Sequence, residues 1–144
     1  MTNFQTAIKF VLQWEGGYAN DSVDPGGETN YGISKRSYPD LDIKNLSIAD
    51  AIEIYKRDYW DLHNLDSEES PMCIALLDAY VQHGASNVDI MRKVADGNWQ
   101  AFIGLRRNYY LKLIQKNPAL QKFQRGWMNR MNDLSKYCEI STQE

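Results

Sequence analysis

Hydrophobic residues recur mainly at helical spacing along this chain. Apolar positions three or four residues apart predict helices over about 2–15, 47–61, 71–84, 87–95 and 98–115, and a last helix that begins at the Asn117-Pro118 pair. The stretch 19–34 breaks this pattern, because it is rich in turn residues and then offers a short segment that could pair as a hairpin. The sequence therefore predicts a mainly α domain with one small β-hairpin near residues 19–34.

The first predicted helix ends in a carboxylate. Phe4, Ile8 and Val11 form an apolar stripe, and Glu15 lies one turn beyond Val11 on the same face, with two glycines after it to stop the helix. Burial and the negative end of a helix dipole both favour the protonated form of a carboxyl group. Such a group can act as a general acid, although a lone Glu-Gly-Gly is more often a solvated helix end.

A second polar cluster follows on a glycine-rich loop. Asp24 precedes Pro-Gly-Gly, and Thr29 lies five positions further on. Acid-assisted cleavage of a glycosidic bond needs one group that protonates the leaving oxygen and another that stabilises the oxocarbenium charge or positions water. Asp24 and Thr29 are candidates for the second role beside Glu15, although Asp also caps turns and Thr is common in strands. Glu28 is the substitute second carboxylate.

These motifs resemble those of a known family. Glu-Gly-Gly-Tyr at 15–18, followed by Asp-x-Gly-Gly-x-Thr-x-x-Gly-Ile at 24–33, is similar to the N-acetylmuramidases of glycoside hydrolase family 108, which include phage endolysins. Further similar stretches lie at 35–39, 55–60, 106–110 and 123–130. The resemblance implies a lysozyme-like helical fold that cuts the β-1,4 bond between N-acetylmuramic acid and N-acetylglucosamine in peptidoglycan, with Glu15 in the catalytic position.

The chain also departs from the family's pattern. Many members carry a small peptidoglycan-binding module with an Asp-Gly-x-x-Gly-Pro-type turn, whereas the corresponding stretch 92–99 keeps only Asp-Gly before it enters a helix. We therefore expect residues 1–144 to form a single catalytic domain, with the helical part over about 87–137 as a candidate remnant of that module. Gln82 stands where the family's pattern would have Asn, so a polar role can be transferred to it only as a hypothesis.

Aromatic side chains suit the lining of a sugar cleft, because their flat faces pack against the C–H faces of pyranose rings. The candidates are Tyr18, Tyr31, Trp60, Tyr80 and Trp127. Tyr18 and Tyr31 flank the catalytic motif directly, whereas aromatic residues at helical spacing usually belong to the core. The predicted substrate-binding set is Tyr18, Tyr31, Asn30, Gln82 and Trp127.

Charge is unevenly distributed along the 144 residues, whose net charge is −3. The first 88 hold 6 Lys and Arg against 14 Asp and Glu, and the remainder hold 10 against 5. A basic half would suit an anionic polymer, but solvated helix faces explain it equally well. Arg125 and Arg130 could contact a muramyl carboxylate or a peptide stem, or simply form surface ion pairs. We expect peptidoglycan as the partner, no nucleic acid and no membrane, and a monomer.

Neither a metal nor a cofactor is expected. His63 and His83 are the only histidines, and Cys73 and Cys138 have neither metal-ligand spacing nor the density of a disulfide framework, although their pairing stays open. Polar residues interrupt the first 13 positions, which predicts neither a signal peptide nor a transmembrane helix. We therefore expect synthesis in the cytoplasm and access to the cell wall through a holin-made lesion or a dedicated export system.

Three other functions stay open. A lytic transglycosylase would use Glu15 first as acid and then as base, and would close a 1,6-anhydro ring. A non-catalytic wall-binding or export-assisting protein would keep the fold without the reaction. A DNA-binding helical domain would rest on the basic second half alone, and the acidic first half opposes it. The choice between inverting and retaining chemistry depends on the separation of two carboxylates, which the sequence does not give.

Overall fold

The computed structural model describes residues 1–20 and 27–143, and this part of the chain is mainly helical. Its α-helices are α1 (Asn3–Trp14), α2 (Ile48–Tyr55), α3 (Met72–Gln82), α4 (Ala85–Ala95), α5 (Trp99–Lys116) and α6 (Gln124–Ser141). Its strands are β1 (Ala19–Asn20), β2 (Glu28–Asn30) and β3 (Ile33–Ser34). The predicted fold class, mainly α with a small β element, is confirmed.

Helix starts follow the capping signals of the sequence. Thr2 and Gln5 form a capping box at the start of α1, in which each side chain bonds the backbone N–H of the other residue. Ser47 caps α2, and Asn98 caps α5. Each cap satisfies a backbone donor that the helix itself leaves unpaired, which stabilises a helix by about 1 kcal/mol.

The second predicted helix changes its geometry partway along. After α2 the chain forms a π-helix over Lys56–Asp61. Tyr55 and Trp60, five positions apart, are both fully buried in the core. A π-helix has a wider turn with bonds from residue i to i+5, so it brings residues at this spacing to one face. The sequence predicted a plain α-helix, because apolar residues that recur every three or four positions do not include a spacing of five.

The last predicted helix begins later than its Asn-Pro signal. Asn117 accepts a hydrogen bond from the backbone N–H of Ala119, and Pro118 occupies the first position, as expected for a cap. The turn that they start is a 3₁₀-helix over Pro118–Phe123, and α6 follows at Gln124.

The predicted hairpin is part of a three-stranded antiparallel sheet in the order β1-β2-β3. Thr29 of β2 pairs with Ala19 of β1 on one side and with Ser34 of β3 on the other. Tyr31 and Gly32 form the two-residue turn between β2 and β3, with φ angles of 53° and 79°. Positive φ at both central positions is the turn that suits the right-handed twist of paired strands.

The core is built around α3. All residues from Met72 to Tyr80 are buried, and α1 packs along α3, while α4, α5 and α6 also contact it. Burial of each large apolar side chain stabilises the fold by about 1.5–3 kcal/mol. One of these buried residues, Asp78, is a carboxylate. Within the described ranges, no helix has the length and apolar character needed to cross a membrane.

Gly32 provides a test of how tightly the β2–β3 turn is packed. A Cβ atom at this position would lie 2.5 Å from Tyr55 Oη and 2.9 Å from Glu15 Cγ, whereas Gly97, with φ 85°, has open space around it. Gly97→Ala should therefore cost only the left-handed backbone penalty, about 1–2 kcal/mol. Gly32→Ala should lower the free energy of unfolding by about 1–3 kcal/mol more, because overpacking adds to that penalty.

Urea unfolding of both variants, followed by circular dichroism, measures the difference. Equal losses of stability in the two variants would show that the turn is not tightly packed against the Glu15 side chain.

Candidate active site

Glu15 lies where four parts of the fold meet. It is the C-terminal cap of α1, and its backbone is extended, with φ −83° and ψ 121°. The helix therefore ends at Glu15 itself, and the glycines that follow it do not adopt the left-handed conformation. Its carboxylate Oε1 accepts hydrogen bonds from Gln82 Nε2 at 2.8 Å and from Arg130 Nη1 at 3.2 Å. With Gly32 packed on its stem, Glu15 is held by α1, α3, α6 and the sheet, and 18% of its side chain stays exposed.

A buried ion-pair network extends from Glu15 into the core. Asp78, with no exposed surface, accepts from Arg130 Nη2 at 2.6 Å and Nε at 3.1 Å on one oxygen, and from Arg106 Nη1 at 2.7 Å on the other. Burial alone would raise the pKa of Asp78. The charges and hydrogen bonds of Arg106 and Arg130 outweigh burial and hold this pKa below its usual value. Asp78 is therefore ionised at neutral pH.

The network alternates in charge along Glu15, Arg130, Asp78 and Arg106. His83, the C-terminal cap of α3, continues it as a neutral acceptor, because its Nε2 accepts from Arg106 Nε at 3.1 Å. Burial and the charge of Arg106 lower the pKa of His83 to about 3. With an ionised Glu15, the network holds two charges of each sign, which is the condition under which charges can be buried without prohibitive cost.

Trp14 covers the guanidinium of Arg130. Its ring centroid lies 5.8 Å from Arg130 Cζ, and its Nε1 donates to Asp133 at 2.7 Å, which fixes the ring between α1 and α6. Arg130 is only 7% exposed. The interpretation of Arg130 as a surface ion pair is therefore wrong: Asp78 is buried and Glu15 is half-buried, and they lie 52 and 115 positions away along the chain.

Two tyrosines approach the Glu15 side from α2 and the π-helix. Burial raises the pKa of both Tyr55 and Tyr59, and the negative charge of Glu15 contributes to each shift. Tyr55 Oη donates to the backbone oxygen of Tyr31 at 2.9 Å and so fixes the turn that packs on Glu15. The two rings lie 5.3 Å apart, and the sequence did not single them out as neighbours of Glu15.

The sheet residues predicted for the site have different environments. Thr29 is half-buried in the central strand. The Asn30 side chain is buried, and its Nδ2 donates to the backbone oxygen of Ile43 at 3.1 Å, so it holds the following loop against the sheet. Tyr31 is half-buried at the tight turn. Asp24 lies outside the described residues. The catalytic or binding roles proposed for these residues stay predictions.

Tyr18 and Trp127, the two remaining aromatic residues of the predicted substrate-binding set, come from different parts of the chain and have different contacts. Tyr18 is 42% exposed, and its hydroxyl donates to Glu28 Oε2 at 2.6 Å, which ties the segment after Glu15 to β2. Trp127 is half-buried and stacks on Tyr110 with ring centroids 4.7 Å apart. Tyr110 in turn lies 5.0 Å from His83, next to Gln82, so the Trp127 cluster is continuous with the end of α3 that carries the Glu15 contact.

The other two aromatic candidates belong to the core. Trp60 is fully buried, and its Nε1 donates to Asp66 at 2.9 Å. Tyr80 is buried and stacks on His63 at a centroid distance of 3.8 Å. In the part of the chain that the structure describes, no cluster of three His, Cys, Asp or Glu side chains could hold a metal ion.

A faint signal for the network was present in the sequence. Asp78 is the one charged residue in the apolar run Met72–Val81, and a carboxylate there must be buried with its partners. Gln82 lies four positions after Asp78 and therefore on the same face of α3. No local pattern identifies Arg106 and Arg130 as the partners, because they come from helices that follow much later.

Comparison with known proteins identifies the family and the fold. Residues 8–84 match the family described as Glycosyl hydrolase 108. The solved structure titled "Structure of Brucella abortus SagA" is similar in fold, with a TM-score of 0.74 and 24% sequence identity, over 93% of this chain and 92% of that one. This likeness confirms the lysozyme-like fold class alone, and no curated protein matches the sequence. Because the family match spans more than half of the chain and includes both Glu15 and Gln82, the chain belongs to glycosyl hydrolase family 108.

Proposed function

We propose that this family 108 glycoside hydrolase is an N-acetylmuramidase that hydrolyses the β-1,4 bond between N-acetylmuramic acid and N-acetylglucosamine, with Glu15 as the general acid. The observation that carries the proposal is the fixed yet accessible carboxylate of Glu15 at the junction of α1, α3, α6 and the sheet. The family match supports glycosidic cleavage, and the resemblance of the 15–33 motif to muramidases supports this particular bond.

In this proposal the two oxygens of Glu15 have different tasks. Both hydrogen bonds from the described residues, those of Gln82 and Arg130, go to Oε1. Oε2 is then the oxygen that carries the catalytic proton. In the proposed reaction Glu15 protonates the glycosidic oxygen, the bond from that oxygen to C1 breaks, and the sugar takes up positive charge. Asp24 or Thr29 stabilises this charge or orients the water that completes hydrolysis.

Substrate contacts are proposed on both sides of Glu15. Tyr18 is an exposed ring close in sequence to the acid, and Trp127 belongs to the aromatic cluster that begins beside Gln82. Tyr31 would contribute through the turn that packs on Glu15. Asn30 would act by holding the neighbouring loop, because its amide is already bonded to the Ile43 carbonyl. We further propose that the protein works as a monomer and reaches the wall through a holin-made lesion or an export system.

A lytic transglycosylase is the second candidate. Such an enzyme needs one carboxylate, which first protonates the leaving oxygen and then removes the proton of the 6-hydroxyl as the anhydro ring closes. Within the ion-pair network, Glu15 is the accessible carboxylate, since Asp78 is buried and paired with two arginines. This observation favours one-carboxylate chemistry as the main alternative.

The released ends of the glycan distinguish these reactions. Digestion of purified sacculi, followed by mass spectrometry of the muropeptides, should show reducing N-acetylmuramic acid ends. Anhydro-muramic ends, which are lighter than the hydrolysed ends by one water molecule, would identify the transglycosylase reaction instead. Reducing N-acetylglucosamine ends would contradict both the N-acetylmuramidase and the lytic transglycosylase proposals.

Glu15→Gln should fold and lose about 10²–10⁴-fold in the rate of sacculus lysis, because the amide has no acidic proton to deliver. Arg130 keeps its two hydrogen bonds to Asp78 in this variant, so the core remains paired. Turbidity loss of sacculi measures the rate, and circular dichroism checks the fold. Glu139→Gln, which removes an exposed carboxylate from α6, is the matched control and should lyse at the wild-type rate. A folded Glu15→Gln variant with near wild-type activity would eliminate Glu15 as the acid.

Tyr18→Ala should raise KM for soluble glycan fragments about 2–10-fold, because an aromatic contact contributes about 0.5–1.5 kcal/mol. The exposure of Tyr18 means that the free energy of unfolding should change by no more than about 0.5 kcal/mol. Tyr18→Phe keeps the ring and removes only the hydroxyl bonded to Glu28, so it should keep a KM close to that of the wild type. Equal KM values in all three proteins would exclude sugar stacking on Tyr18.

A further inference from the structure

The guanidinium of Arg130 is shared between two carboxylates with different environments. Its Nε and Nη2 bond the fully buried Asp78, and its Nη1 bonds Glu15, which keeps partial access to solvent. Arg130 therefore connects the candidate acid to a charge in the core.

We propose that Arg130 and Asp78 are positioning residues that together orient the Glu15 carboxyl and set the pH range over which it keeps its proton. This inference rests on the proposed role of Glu15 as the acid. Neither residue touches the bond to be cleaved; both act through Glu15.

The orientation follows from the geometry of Arg130. All three of its nitrogens are engaged, and a planar guanidinium that is bonded along one edge to Asp78 cannot rotate without breaking a buried ion pair. Trp14 covers this group, and Asp133 holds the Trp14 ring. Nη1 is thus a fixed point, and with Gln82 it determines where the Glu15 oxygens lie.

The charges of the two residues oppose each other at Glu15. A cation 3.2 Å from a carboxylate favours its ionised form, which cannot donate a proton. Asp78 binds the same guanidinium at 2.6 Å and offsets much of that effect, while Arg106 neutralises the far side of Asp78. Removing Arg130 should therefore favour the protonated form of Glu15, and removing Asp78 should favour the ionised form.

Besides Asp133, which bonds Trp14, the titratable neighbours of the network are tyrosine, histidine and cysteine side chains that stay uncharged at neutral pH. Tyr55 and Tyr59 face Glu15, and burial raises the pKa of both. His83, Tyr110 and Cys138 lie near Asp78. Burial lowers the pKa of His83 to about 3, raises that of Cys138 to about 12 and raises that of Tyr110. These neighbours therefore add no change of charge of their own to the network near neutral pH.

Two variants test the opposing effects. Activity should fall at alkaline pH, where the acid loses its proton, and this fall is the alkaline limb of the activity profile. Arg130→Met removes the cation, so Glu15 should keep its proton to higher pH. The alkaline limb should therefore move up by about one pH unit or more. Asp78→Asn leaves Arg130 unopposed, so the same limb should move down by a similar amount. Arg130→Lys keeps the charge but loses the planar fork, so the limb should stay near its wild-type position while kcat falls.

Arg92→Met is the matched control. Arg92 bonds Glu68, the His63 carbonyl and the Tyr80 hydroxyl, so it is also a partly buried, multiply bonded arginine, but it lies in a separate cluster. Its loss should reduce stability without moving the alkaline limb. A limb that moves equally in Arg92→Met would assign the effect to general loosening of the fold.

A direct titration separates this inference from the proposed function. Carbon-13 NMR of glutamate-labelled protein follows the Glu15 carboxyl, with Glu15→Gln assigning its signal, and it needs no lytic activity. The midpoint should rise in Arg130→Met and fall in Asp78→Asn even if the protein cuts another bond. Unchanged midpoints, or shifts in the same direction, would overturn the inference. If circular dichroism shows that either Arg130→Met or Asp78→Asn is unfolded, the titration midpoint of the folded variant is compared with that of Arg130→Lys.

Discussion

The charge of Asp78 in the middle of α3 is the constraint on which the rest of this structure depends. A carboxylate without solvent contact is tolerated only when cations and hydrogen bonds surround it. Arg106 from α5 and Arg130 from α6 supply them, at 2.7 Å and 2.6 Å. The two later helices are therefore docked on α3 by specific ion pairs as well as by apolar packing. Loss of one partner would leave an uncompensated buried charge, at a cost of about 3–5 kcal/mol.

The same docking determines the position of Glu15. Arg130 has one nitrogen, Nη1, left after Nε and Nη2 bind Asp78, and this nitrogen reaches Glu15 at the end of α1. From the other side, the left-handed turn at Gly32 packs on the Glu15 stem, and Tyr55 holds that turn by its bond to the Tyr31 carbonyl. The carboxylate is thus positioned by groups that are remote in sequence, although the Glu-Gly-Gly motif around it is local.

The sequence predicts local features well, because caps and apolar spacing act over a few residues. It identified the helices and the position of Glu15 at the end of the first one. It proposed Gln82 only as a substrate contact, whereas the structure places the Gln82 amide on the Glu15 carboxylate. It did not predict the partners of Asp78, since charged residues are usually exposed and periodicity does not reveal which arginine turns inward. It also missed the π-helix after Tyr55, because a spacing of five belongs to neither a regular helix nor a strand.

Stability alone does not require the buried charges. Replacing a buried ion-pair network with apolar residues of similar volume is often neutral or stabilises a protein by about 1–4 kcal/mol. Here such a replacement would remove the Arg130 donor from Glu15 Oε1 and leave Gln82 as the described partner of that oxygen. An apolar core could hold α3, α5 and α6 together, but it could neither fix the carboxylate from this side nor influence its ionisation. In the proposed mechanism, the role of Arg130 and Asp78 therefore lies at Glu15, which shares the guanidinium of Arg130 with the buried Asp78.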